Sequence, residues 1–154
     1  MFNNIKITYF LILGLVIVLP LSGCKKEDSN DDWNCCYECN VGSWAGVFTG
    51  SCDVFNANNN STVENQPVTI EIEETGENYL MVKVSVPGYY SSTVFGSLID
   101  SYYVSFAGTS SSFSGTLYTK KNQLRLTGNA KSYHIESDSV VIEKVVNYET
   151  LKSQ

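Results

Sequence analysis

The chain has 154 residues, 43% of them hydrophobic, and a formal net charge of −6 from 16 acidic and 10 basic side chains. An acidic chain whose single arginine is Arg125 repels phosphate backbones, which argues against nucleic acid as a partner. Its length is enough for one hydrophobic core and not for two.

Residues Ile7 to Leu19 are almost wholly apolar and follow a short start containing Lys6. The run falls short of the roughly 20 residues a membrane span requires and has the layout of a secretory signal. It ends in Leu21-Ser22-Gly23-Cys24, which resembles the lipobox of bacterial lipoproteins. That resemblance implies a signal peptide over 1–23, removed before Cys24, and palmitate-type acylation of Cys24 as the new N-terminus. The expected attachment to the membrane is through this N-terminal lipid.

Residues 24–40 are expected to form a flexible acidic, cysteine-containing tether, because Lys25 to Asp32 is charged and nearly without apolar side chains. Lys25 and Lys26 beside the lipid favour anionic headgroups. By resemblance to enterobacterial sorting, Lys25 in place of an aspartate implies the outer membrane. The Lys/acidic run is similar to the export signal of surface lipoproteins in Bacteroidota, so either the periplasmic side or the cell surface fits.

Cysteines stand at 24, 35, 36, 39 and 52. With Cys24 acylated, four remain in an oxidising compartment, which points to two disulfides. Adjacent Cys35 and Cys36 rarely bond each other, leaving 35–39 with 36–52, or 36–39 with 35–52. A metal site on Cys36-x-x-Cys39 and Cys52, or a redox-active Cys36–Cys39 pair, are the rival readings. The expectation is no metal and no cofactor.

From Val41 the chain is a series of short β-type runs. In the first, Trp44 to Phe55, the side chains of Trp44, Gly46, Phe48, Gly50 and Cys52 share one face. The clearest hairpin joins Val68–Glu73 to Leu80–Val86 through Thr75-Gly76-Glu77-Asn78, with apolar and charged residues alternating in both arms. Further strands are expected at Thr93–Ile99, Tyr102–Phe106, Phe113–Thr119, Gln123–Leu126, Ser132–Glu136 and Ser139–Tyr148. Lys120-Lys121-Asn122 makes a tight turn between two of them. Eight or nine strands with short links predict an all-β, antiparallel up-and-down barrel over 41–154, or alternatively a β-sandwich.

Gly42-Ser43-Trp44 before the first strand is similar to the Gly-x-Trp signature of lipocalins and other calycins, and the Trp-x-Gly-x-Phe opening resembles small calycin-like lipoproteins of Bacteroidota. The resemblance implies an eight-stranded barrel plugged at one end by Trp44, with Arg125 stacked over it as the barrel-closing pair. It also implies an interior that holds a small ligand. Phe48, Tyr102, Phe106 and Leu117, with Ile70, Val82 and Val84, are the inward set that would line it.

Catalytic machinery is not legible. His134, the one histidine, lies in a strand between Tyr133 and Ile135, and no Gly-x-Ser-x-Gly elbow is present. Glu71, Glu73 and Glu74 read as an exposed strand face, and Asp53 with the asparagines after it as a polar loop rather than a calcium site. Tyr89-Tyr90 and Tyr102-Tyr103 suit an amphipathic ligand. Asp138-Ser139-Val140 resembles an O-glycosylation acceptor of Bacteroidota. The expected function is therefore a non-catalytic, membrane-anchored binding module for a small apolar or amphipathic ligand. The alternative is a structural or protein-interaction lipoprotein whose interior is filled by its own side chains and whose partner is an envelope protein.

Overall fold

The computed structural model describes residues 33–154. The signal segment, Cys24 and the tether up to Asp32 lie outside the described residues. Nine strands follow a single order: β1 (Asn34–Cys35), β2 (Gly46–Asn56), β3 (Ser61–Gly76), β4 (Tyr79–Val86), β5 (Tyr90–Ser97), β6 (Tyr103–Ala107), β7 (Ser111–Lys120), β8 (Gln123–Glu136) and β9 (Ser139–Lys152). Among the described residues the only helix is a single turn, α1 (Val41–Trp44), capped by Asn40, whose side chain accepts from the Ser43 amide.

All pairings are antiparallel, and from β2 to β9 each strand pairs with its sequence neighbours except at one place. The first and last of these also pair, Phe48 with Lys152 through to Asn56 with Lys144. The exception is β5 and β6, which run side by side without a ladder. The all-β, up-and-down expectation therefore holds, but the cylinder is left open along one seam. Phe106 of β6 fills that seam by lying on Gly96 of β5, where any β-carbon would collide with its ring.

Alternation explains the strands. Leu80, Val82, Val84 and Val86 of β4 point inward, as do Phe113, Gly115 and Leu117 of β7, while the residues between them face out. Turn residues do the rest: Asn78, Lys121, and the pair Ser137 and Asp138 take positive φ, which closes two-residue links without distorting the right-handed strands. Cys52 to Val54 of β2 faces a bulge in β3, where Asn65 has φ 55° and its amide donates to Asp53 at 3.0 Å. Asp53, weighed as a cation ligand, thus holds a bulge.

Three expectations change. The domain does not begin at Val41: Asn34 and Cys35 pair with Thr119 and Tyr118 of β7, and Cys36 is buried in the core, so part of the expected tether belongs to the fold. Trp44 belongs to α1 rather than to the strand expected over Trp44 to Phe55, which is β2 and begins at Gly46. The runs expected at 123–126 and 132–136 are one strand, because Gly128 inside β8 packs under Tyr148 instead of breaking it.

Candidate functional site

The interior is occupied. Trp44, Phe48, Ile70, Leu80, Val82, Val84, Leu117, Leu126, Ala130 and Val146 are completely buried in one contiguous cluster, and Phe106 and Phe113 join it. Of the four residues expected to line a ligand cavity, Phe48, Phe106 and Leu117 are core side chains. Tyr102 is only half-buried and meets Tyr37 edge-on at 4.9 Å. Tyr148 lies across Gly115 and Gly128, stacks on Phe113 at 5.7 Å and donates its hydroxyl to the Ser114 carbonyl at 2.7 Å. Its phenol is held well above the ordinary tyrosine range by burial, and burial raises Tyr90 as well.

Trp44 sits where α1 leads into β2, with its indole Nε1 donating to the Ser101 carbonyl of the β5–β6 loop at 2.8 Å. Arg125 is not its partner. Arg125 and Leu126 alternate, so when Leu126 turns inward the guanidinium lies on the outer wall. There it stacks on Trp33 at 4.6 Å and on Tyr118 at 5.1 Å, and meets Glu149 at 3.6 Å. The cation that reaches the Gly42-Ser43-Trp44 segment is Lys152. Its Nζ donates to the Ser43 carbonyl at 2.9 Å and lies 5.8 Å over the Phe48 ring, and burial lowers its pKa.

The cysteines form one of the expected bridges, Cys36–Cys39. Cys52 is free, so neither 35–52 nor 36–52 exists. The sheet order explains this. Cys35 sits opposite Tyr118, whose row continues through Arg125 and Leu151 to Thr49, so Cys52 is four strand intervals away and three residues off the row. A disulfide tolerates about 7 Å between α-carbons. Burial, with the Asp53 carboxylate adding to it, pushes the Cys52 thiol up to about 11. With Cys36 and Cys39 bonded to each other, neither offers a thiolate to a metal shared with Cys52. The bridge and Cys35 line a cleft with Tyr37, Glu38, Thr119 and Leu124.

Sequence reasoning missed the far end of the β8–β9 hairpin. β7 pairs with β8 only as far as Ser132, and β2 with β9 only as far as Lys144. Beyond them four residue pairs, from Tyr133–Ile142 to Glu136–Ser139, project as a free two-stranded arm about 13 Å long. Its base is fixed by the Tyr133 hydroxyl on the Gly108 carbonyl at 2.7 Å and by Lys144 Nζ on the Tyr89 carbonyl at 2.6 Å. One face carries Ile135 and Val140, directly paired and 67% and 63% exposed, with Ile142 beside them. The adjacent positions carry His134, 3.1 Å from Glu143 and 3.8 Å from Glu136. His134 is thus an exposed neighbour of two carboxylates, Glu143 across the hairpin and Glu136 on its own strand. Two unpaired strand edges and an apolar face are what a second protein chain can engage. The signal was present in Val140-Val141-Ile142, a run too apolar for a strand with one wet face.

Comparison with known protein families, with curated proteins and with solved structures returns no match.

Proposed function

We propose that this chain is a lipid-anchored protein of the cell envelope, most simply on the outer membrane, that acts by binding another envelope protein. It is neither an enzyme nor a carrier of small molecules in this reading. The observation that carries it is the filled interior: Trp44, Phe48, Phe113, Leu117 and Leu126 occupy the space in which a ligand would sit. The anchor rests on the lipobox at Leu21 to Cys24, and the projecting hairpin supplies an exposed apolar face for the partner. The calycin-like barrel serves as a rigid stalk for that face.

Native mass spectrometry of the full mature protein, released from detergent, tests the reading. The expected spectrum is the chain plus acyl groups on Cys24, with no further mass that disappears on denaturation. A non-covalent small molecule retained in the native ion would restore the carrier role. A photo-crosslinker at Ile135, activated in intact envelopes, should give a discrete protein adduct. The same probe at exposed Ser91 on the side wall should not.

A further inference from the structure

The exposed apolar side chains are distributed unevenly between the two ends of the cylinder. Of the eleven large ones among the described residues, seven lie at the end where the chain comes in from its N-terminus. Val47 is the second residue of β2, Tyr79 the first of β4 and Phe95 the third from last of β5. Tyr103 opens β6, Leu151 is the last but one of β9, and Ile99, 89% exposed, tops the loop between β5 and β6. Tyr37 is the seventh. Each strand residue points outward because its neighbour, such as Phe48, Leu80, Val94, Val104 or Thr150, points in. Together they make a broken ring around one rim, whereas Ile135, Val140, Ile142 and Tyr89 mark the other end.

The chain outside the described residues ends at this same rim. Trp33 is clamped on the outer wall by Arg125, the third residue of β8, and by Lys120 at 6.0 Å. Eight residues lie between Cys24 and Trp33, a reach of about 30 Å even when fully extended. An acyl group on Cys24 therefore tethers the chain by this end, and not by the projecting hairpin.

We infer that the rim carrying Tyr37, Val47, Tyr79, Phe95, Ile99 and Tyr103 docks into the headgroup layer of the membrane to which the chain is tethered. The inference rests on the lipid anchor proposed above. Tyrosine-rich rims suit that layer, because the ring enters the apolar zone while the hydroxyl stays wet. Charge selects the lipid. Lys120 and Lys121 on one side of the rim are opposed by Glu73, Glu74 and Glu77 at the β3–β4 corner, and by Glu38 and Asp100. A rim of both signs fits zwitterionic headgroups and is repelled by a strongly anionic surface, so docking should be insensitive to salt. The hairpin arm then points away from the membrane.

The test uses the full acylated chain carrying Ile99→Trp, reconstituted in phosphatidylethanolamine and phosphatidylcholine vesicles with brominated acyl chains. Ile135→Trp is the control. The emission added at position 99 should shift to the blue and be largely lost to bromine quenching, unchanged at high salt, while that added at position 135 stays bright. Equal quenching at both positions, or none at 99, overturns the docking. Shielding of position 99 that needs no lipid and grows with protein concentration would assign the rim to a second copy and also overturn it. The anchor is read separately, from the acyl mass on Cys24. If that mass is absent, saturating vesicles added to the unacylated chain still decide whether the rim binds lipid.

Discussion

Replacing Leu117 with alanine distinguishes a filled interior from a ligand cavity. Leu117 is completely buried, at the centre of β7 beside Leu126 of β8. Truncation removes about three methylene equivalents at roughly 0.8 kcal/mol each, or about 2.4 kcal/mol of transfer free energy. The void left behind adds to this wherever the surroundings cannot collapse; the β8 ladder on one side of Leu117, and backbone hydrogen bonds to Tyr102 and Cys36 on the other, limit collapse. The expected loss is about 3–4 kcal/mol, with an unchanged dependence on denaturant concentration. Urea unfolding followed by far-ultraviolet circular dichroism measures it, with Ile99→Ala as the exposed control, expected within about 0.5 kcal/mol of the parent. A loss at Leu117 below about 1 kcal/mol would mean that the side chain already bordered open space, and would refute the filled interior and the functional reading built on it.

Three further outcomes follow from specific contacts. In Gly128→Ala the new β-carbon would run into the Ser114 carbonyl and the Tyr148 hydroxyl, so a destabilisation of about 3 kcal/mol, read in the same urea titration, is expected. For Cys52, folding favours the neutral thiol: the unfolded chain loses its proton near 9 and the folded one only near 11. Its contribution to stability is thus fully present below pH 9 and lost as pH rises towards 11, on the order of 2 kcal/mol, and Cys52→Ala should flatten that alkaline loss. Iodoacetamide should label Cys52 only in denaturant, and labelling of the native protein at pH 8 would contradict its burial.

Much of this fold can be read from alternation. The arms Val68–Glu73 and Leu80–Val86, and the turns at Asn78 and Lys121, follow directly from period-two patterning and residues that tolerate positive φ. What escaped the sequence depended on neighbours distant along the chain. Arg125 was placed over Trp44 by family likeness, whereas its own flanking leucines already turn it outward, onto Trp33. Cys52 was paired with Cys35 or Cys36 because four cysteines remain beside Cys24 in an oxidising compartment, yet the sheet order sets β2 four intervals from β1. The runs at 123–126 and 132–136 were expected apart, whereas Gly128 between them packs under Tyr148, which arrives twenty residues later. The projecting hairpin was hidden for a related reason: an apolar strand reads the same whether or not other strands flank it.

The pairing of β2 with β9 also bears on how such a chain is made. Its ladder joins Phe48 to Lys152, residues more than a hundred positions apart, and β9 is the last strand to be synthesised. The β2–β9 ladder therefore cannot form until residues 144–152 have been made, and each earlier intermediate keeps β2 with one edge unsatisfied. High contact order of this kind slows folding by orders of magnitude relative to local topologies. For the exported role proposed above, that delay is useful: a chain whose β2–β9 ladder forms last stays threadable until then.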